Sequence, residues 1–410
     1  MSYFYINPVT ATNKSYGDFL NDLTSILETD LYIQEVDTYS FFIQFIKKII
    51  SNKNCYILDS DFSEHELEEL KLEDQVDKNN QTSDLLEFNS FEQLLERIKS
   101  STSEISIFTS GTTGKPKRIV HSMDTLTRTV KNNDVLQNCI WAFAYNPTHI
   151  AGIQVFFQAL FNKNVLIDVF KQSRNTVYDA LEKYNVTHIS ATPTFYRLLL
   201  PFDREFVNVK RITFGGERSD FNLYEKLKKL FPNSKITNIY ASTELGTLLH
   251  ANGELFTIPD VLKKDVLIKD NELLVRATLL GKSVDLVIED GMYRTGDVVD
   301  IISTNPMIFK FKTRISDYVN VGGYKVNVQE VEEVFSSIDG VLMASVTVKA
   351  NSVVGNMLIA NVVSDFTNPE LSEKNIKVIL KGKLQEFKIP RIIKIVQELE
   401  FTRTGKISKK

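Results

Sequence analysis

The chain has 410 residues, of which 43 % are hydrophobic and 24 % charged, with 48 basic against 52 acidic side chains and a net charge of −4. This composition excludes a disordered chain, a collagen-like repeat and a continuous coiled coil, and it offers no basic surplus that would make nucleic acid the main partner. Two cysteines, Cys55 and Cys139, cannot build a framework of bridges and fit a reducing, cytoplasmic setting.

The chain opens with MSYFYINPVT, which lacks the basic start and apolar run of a signal peptide. The longest apolar stretches, FFIQFIKKII and RLLLPF, are broken by charge before membrane-spanning length, so no membrane span is predicted. Residues 1–100 predict helices and short strands around a charged stretch from Glu64 to Asp77. From 104 onward, short β-rich runs alternate with amphipathic ones: ISIFT, MDTLTRTVKNN, WAFAY, GIQVFFQALF, VLIDV, TVYDALEKY, VTHIS, PTFYRLLL, RITF, LYEKLKKL and ITNIY. That alternation predicts an α/β fold with a doubly wound sheet. Between 250 and 311 the runs DVLIKD, ELLVRATLL, SVDLVIED and VVDII predict a small antiparallel β unit. After Arg314 comes a compact α+β tail with two helical and three strand-like runs. The expected division is a large domain over 1–313, with a first part at 1–100 and a β-rich part at 250–311, and a small domain over 314–410.

Four segments carry chemistry. Thr109-Ser110-Gly111-Thr112-Thr113-Gly114-Lys115-Pro116-Lys117 follows an apolar strand. Its glycines permit close backbone approach, its hydroxyls and N–H groups suit phosphate oxygens, and Lys115 and Lys117 add positive charge. It lacks the glycine spacing of the common P-loop, and taken alone it reads equally as a polar surface loop. Tyr240-Ala241-Ser242-Thr243-Glu244 stands at the C-terminal end of a strand, where open α/β sheets bind ligands. A Glu there suits Mg²⁺ and a Thr suits a phosphate oxygen, although an ordinary strand end looks the same. Met292-Tyr-Arg-Thr-Gly-Asp297 puts a carboxylate on a tight turn before a strand, suited to a ribose diol or simply to the turn. Lys406 lies in Thr404-Gly405-Lys406-Ile407 near a basic chain end, a setting usually just solvated.

Together, in this order, these segments resemble the adenylate-forming superfamily of acyl-CoA synthetases, aryl-acid and amino-acid adenylation domains and luciferases, over residues 104–410. TSGTTGKPK is similar to the family's phosphate loop, YASTE to its Tyr-Gly-x-Thr-Glu with Ala241 in place of Gly, and YRTGD matches its counterpart fully. GGERSD resembles the turn that borders adenine, RISDYVNVGGYKVNVQEVEEV the inter-domain hinge, and FKIPRIIKIVQELEFTRTGKISKK the terminal segment with its catalytic lysine. Asn146-Pro-Thr-His149-Ile-Ala-Gly152 resembles the segment that begins a helix beside the acyl site, most like o-succinylbenzoate–CoA ligases. His188 reads instead as a buried strand residue and His250 as a loop residue. The chain departs from the family elsewhere too: the part over 1–100 is shortened relative to the family and its early motifs are not recognisable, Thr313 replaces the Gly before Arg314, and the hinge position carries Ser316 followed by Asp317.

The resemblance implies a two-step reaction: a small carboxylic acid attacks ATP to give acyl-AMP and pyrophosphate, and a thiol then takes the acyl group. It implies that Thr109–Lys117 holds the β- and γ-phosphates, Glu244 ligates Mg²⁺ and Thr243, beside Ala241 and Ser242, contacts the α-phosphate. Gly215, Gly216, Glu217, Asn238 and Tyr240 are expected to wall the adenine, Asp297 to accept the ribose hydroxyls near Arg314, and His149 and Gly152 to border the acid. Lys406 is expected to bridge the attacking carboxylate and the α-phosphate, then leave as the tail swings about Ser316 or Asp317. The implied thiol is coenzyme A; the alternatives are phosphopantetheine on an acyl carrier protein, or a degenerate nucleotide-binding protein without catalysis.

Overall fold

The computed structural model describes residues 3–24, 32–70, 88, 90–109, 117–201, 203–217, 221–321, 323–351, 355–365 and 371–409. Six strands form the parallel heart of the main sheet. In spatial order they are Tyr3–Asn7, Val165–Asp168, Ile140–Phe143, His188–Ala191, Arg211–Phe214 and Lys235–Ser242. They are short and rich in Ile, Phe and Tyr, as strands covered on both faces should be.

The chain reverses after Lys235–Ser242. Gly246–Asn252 pairs antiparallel with it, and Leu255–Thr257, Met307–Arg314, Met292–Thr304, Glu272–Arg276 and Val266–Lys269 extend the same ladder. The β-rich part is antiparallel, as expected, and it continues the main sheet edge to edge, giving 14 strands among the described residues. The run SVDLVIED yields only the strand Ile288–Glu289, and Val284 lies fully exposed in the loop before it. Ile105–Thr109 is placed differently from the sequence reading. It joins Tyr32–Ile33, Cys55–Ile57 and Lys117–His121 in a separate four-stranded sheet.

Phenylalanines fix the helix that points at the site. Phe41, Phe42 and Phe45 on the helix Thr38–Ile50 are fully buried, and Phe42 and Phe45 meet Phe156 and Phe157 on the helix Ile150–Phe161. Phe42 stacks on Phe156 with ring centroids 4.1 Å apart. Such pairs contribute about 0.5–1.5 kcal/mol beyond their buried area. Gly152 permits the tight turn before this helix: a Cβ there would lie 2.2 Å from the carbonyl oxygen of Asn146.

Beyond Arg314, a short 3₁₀ turn at Ile315–Asp317 leads to the hairpin Tyr318–Val321/Tyr324–Asn327. The sheet Val341–Asn351, Gly355–Ser364 and Ile392–Val396 follows, with the helices Val328–Ser336 and Glu373–Lys381 packed on it. Val331, Phe335, Leu358, Val362, Ile376 and Leu380 form a core cluster of their own. Among the described residues no helix is long and apolar enough to cross a membrane.

Candidate functional site

A cavity of about 1770 Å³ opens at the C-terminal ends of the parallel strands and runs back along the sheet beside the helix Ile150–Phe161. This is where the sheet turns from parallel to antiparallel. Lys117, His149, Gly215, Gly216, Ala241, Ser242, Thr243, Glu244, Arg314, Ser316 and Lys406 all line it. Gly152, Glu217, Asn238, Tyr240, Asp297 and Asp317 are not among its lining residues. Ser110, Gly111, Thr112, Thr113 and Gly114 fall outside the described residues, as do Lys115 and Pro116; Thr109 ends the strand that leads to them.

Lys406 reaches the cavity from a tight turn. The amide of Thr402 donates to the carbonyl of Lys406 at 2.7 Å, that of Gly405 to Thr402 at 2.9 Å, and Gly405 takes a φ of +76°. The lysine's Nζ comes within 3.8 Å of where a Cβ on Gly216 would stand. No carboxylate among the described residues forms an ion pair with it. Burial pushes its ammonium below the usual lysine range, against the pull of Glu217 and Glu244. A cation in this state gains from any anion that enters.

Glu244 follows the strand end in a turn whose backbone is fixed on both sides. The amide of Gly281 donates to the Glu244 carbonyl at 2.8 Å, and His121 Nε2 lies 2.8 Å from the Thr243 carbonyl oxygen. Burial lowers the His121 pKa to about 4, so the ring is neutral and Nε2 carries the proton it donates. No sequence signal marks His121 for this supporting task.

Asp297 lies within the long strand Met292–Thr304, not on a turn ahead of one; Gly296, at φ +75°, bends the strand just before it. Arg314 faces Asp297 across the ladder and places Nε 3.0 Å from Oδ1, while the Tyr240 hydroxyl donates to Oδ2 at 2.7 Å. Burial pushes the Asp297 carboxyl above the usual range, opposed by Arg314. The Tyr240 ring stacks on Phe311 at 4.4 Å. Glu217 accepts from the amide of Thr194 at 2.9 Å, at the start of the helix Pro193–Arg197.

His149 occupies the N-cap of the helix Ile150–Phe161 but makes no side-chain capping bond. Burial, then the charge of Lys406, lowers its pKa to about 3, so a neutral imidazole faces the cavity. Further along, His188 lies on a buried strand as expected yet also lines the cavity, with Trp141 4.8 Å away ring to ring. His250 stands on the strand Gly246–Asn252, not in a loop, and lines the cavity too.

The fold and this strand-end cavity define an α/β protein whose ligand site lies where the sheet turns from parallel to antiparallel. Residues 41–268 match the AMP-binding enzyme family and residues 330–406 the AMP-binding enzyme C-terminal domain; the chain belongs to the AMP-binding enzyme family. Among particular relatives, a 2-succinylbenzoate–CoA ligase of Listeria monocytogenes is 24 % identical over 337 residues, covering 77 % of this chain and 71 % of the ligase. Bacitracin synthase 3 of Bacillus licheniformis is 24 % identical over 352 residues, and that match spans 74 % of this chain but 5 % of the synthase. The fold is shared with ATP-bound MatB of Rhodopseudomonas palustris, at a TM-score of 0.74 and 15 % identity over 99 % of this chain and 94 % of that one. It is also shared with o-succinylbenzoate CoA synthetase of Bacillus subtilis in complex with its acyl-adenylate, at 0.70 and 18 % over 100 % and 94 %.

Proposed function

We propose that the protein is an ATP-dependent acid–thiol ligase that adenylates a carboxylic acid and passes the acyl group to coenzyme A. The observation that supports this reading is Lys406, a half-buried cation with no carboxylate ion-pair partner among the described residues, brought from far along the chain to the cavity wall beside Gly216. A carboxylate and a triphosphate repel each other, so their reaction needs fixed positive charge and fixed geometry. Lys406 supplies the charge where the carboxylate oxygen attacks the α-phosphorus and pyrophosphate departs. Asp297, backed by Tyr240, accepts ribose hydroxyls. Gly215, Gly216, Glu217, Asn238 and Tyr240 bound the adenine, and Thr109–Lys117 takes the β- and γ-phosphates. Neutral His149 borders the acid without adding charge, and Gly152 shapes that border by letting the helix start close against Asn146.

Among the described residues no group of three or more His, Cys, Asp or Glu could hold a metal. One carboxylate at Glu244, with Thr243 beside it, fits Mg²⁺ carried in on nucleotide phosphates, the ion's usual mode. Bound there, Mg²⁺ would neutralise phosphate charge. After adenylation the tail over 314–410 turns about Ser316–Asp317, withdraws Lys406 and brings up the face around Gly323 and Tyr324 for the thiol. Cys55 and Cys139 are both buried and unpaired, which fits a cytoplasmic location.

The test is acid-dependent exchange of pyrophosphate into ATP with 2-succinylbenzoate, benzoate, malonate and octanoate. Coenzyme A or a phosphopantetheinylated carrier protein is then offered. Exchange followed by a CoA thioester supports the reading, and a carrier thioester alone moves the protein to the carrier-loading class. No exchange with any acid, while ATP still binds, would place it among non-catalytic nucleotide binders.

A further inference from the structure

The turn that carries Lys406 is held by a part of the chain in which the sequence shows no site motif. Arg403 makes a two-pronged contact with Glu66, Nη1 to Oε1 at 3.0 Å and Nη2 to Oε2 at 2.8 Å, across 337 positions of sequence. Its Nε lies 2.8 Å from Asp61 Oδ1, its Nη2 donates to the Asp61 carbonyl at 3.1 Å, and its guanidinium sits 4.6 Å from the Phe62 ring centroid. Glu66 is itself pinned: it accepts from the amide and hydroxyl of Ser63, each at 2.9 Å, at the start of the helix Glu64–Leu70. The hydrogen bond from Arg403 leads the causes that hold the Glu66 carboxyl down to about 2, so the pair is charged across the working pH range.

A second strut meets the same residue from the acid side of the cavity. Asn146 Nδ2 donates to the Arg403 carbonyl at 3.2 Å and to Asp59 Oδ1 at 2.5 Å. Asp59 also accepts the Thr148 hydroxyl. Residues 59–66 and the turn before His149 thus grip one residue, and that residue lies three positions before Lys406 inside a turn closed by the Thr402–Lys406 backbone bond.

We propose that Arg403 is a positioning residue for Lys406, and that the clamp of Asp61, Phe62 and Glu66 fixes the lysine for the adenylation step alone. The proposal rests on the reading that Lys406 serves acyl-AMP formation. An isolated ion pair on the surface contributes little. This one is bidentate, doubly acidic and roofed by an aromatic ring, and it acts through geometry. A misplacement of the reacting groups by about 1 Å can cost about 100-fold in rate. The contacts exist only while the tail lies against the cavity, so they also favour that arrangement over the one in which the thiol attacks.

The test compares both half-reactions in the full chain. With whichever of the four acids exchanges fastest, Arg403→Ala should lower the turnover of pyrophosphate exchange by about 10–100-fold. The KM for ATP should stay unchanged, and thioester formation from synthetic acyl-AMP should be no slower. Arg403→Lys should recover part of the loss, since a point charge cannot make the two-pronged contact. Glu66→Gln should show the same selective defect from the other side of the clamp, and Glu66→Arg should partly rescue Arg403→Glu. Equal loss in both half-reactions, no loss in exchange, or no rescue would overturn the proposal. A measurement that needs no acid is hydrogen exchange at the amides of residues 402–406, which should quicken in Glu66→Gln; unchanged protection would also overturn it. Lys406→Ala separates the two levels. If it leaves exchange intact, the reading of Lys406 fails; if it abolishes exchange while Arg403→Ala does not, only the clamp fails.

Discussion

Tyr240 donates its phenolic proton to Asp297 at 2.7 Å, joining the end of the last parallel strand to the middle of an antiparallel one. Arg314 holds the opposite oxygen at 3.0 Å. A carboxylate offers about four lone-pair sites, so this one is partly engaged and already oriented. Any further donor must fit around the phenol or displace the guanidinium.

If Asp297 receives the ribose diol, Asp297→Ala should raise the KM for ATP markedly, because hydrogen bonds to a charged acceptor contribute about 1.5–3 kcal/mol each. The same change should matter far less for 2′,3′-dideoxy-ATP, which lacks both hydroxyls. Steady-state exchange kinetics with the two nucleotides measure this directly, and parallel losses would move the ribose elsewhere.

Lys406→Ala should lose acyl-AMP formation by about 10²–10³-fold, the scale of removing one main transition-state charge. Supplied with synthetic acyl-AMP and the thiol, the same variant should form thioester at close to the wild-type rate. Rapid-quench measurement of each half-reaction decides; equal slowing of both would make the lysine a structural residue.

The burial of His149 predicts a pH dependence of stability. The folded protein keeps this imidazole neutral down to about pH 3, whereas the unfolded chain protonates it near 6.5. Between those values the unfolded state binds more protons, so stability falls as pH falls, by up to about 1.4 kcal/mol per pH unit from this residue. His121 and His188, each lowered to about 4 by burial, add slopes of the same sign. Urea midpoints at pH 7, 6 and 5 should converge in His149→Gln relative to wild type; an unchanged slope would assign the effect to other groups.

Gly152→Ala places a methyl group 2.2 Å from a backbone oxygen that cannot swing aside. Overpacking of this kind costs about 1–3 kcal/mol. The thermal midpoint should drop, and the KM for the acid should change with it, because the turn that must yield carries His149. A fully stable variant with normal acid binding would show that the turn opens freely.

Strand ends were legible in the sequence because apolar runs stop where polar motifs begin, and the segments ending at Glu244 and around Lys406 do converge on one cavity. Strand partners were less legible. A five-residue apolar run such as Ile105–Thr109 states that it is a strand but not which sheet it joins, since pairing is decided by contacts far away in sequence. The attachment of the β-rich part was hidden for the same reason: among the described residues its sheet link to the parallel strands is the ladder in which Tyr240 faces Leu249. Arg403, Glu66 and Asp61 were invisible because charged residues more than 300 positions apart share no periodicity, and only folding sets them side by side.

Trp141 is the chain's one tryptophan, and it lies against His188 in the cavity wall. It stands near the start of its strand, whereas Lys406 lies by Gly216, beyond the end of a parallel one. All indole emission from this protein therefore originates at one address, at the end of the cavity away from Lys406. If the acid lies along this cavity, one long enough to reach that wall should alter the emission, and a short one should leave it unchanged. Unlabelled protein in a fluorimeter thus becomes a ruler for the molecules it accepts.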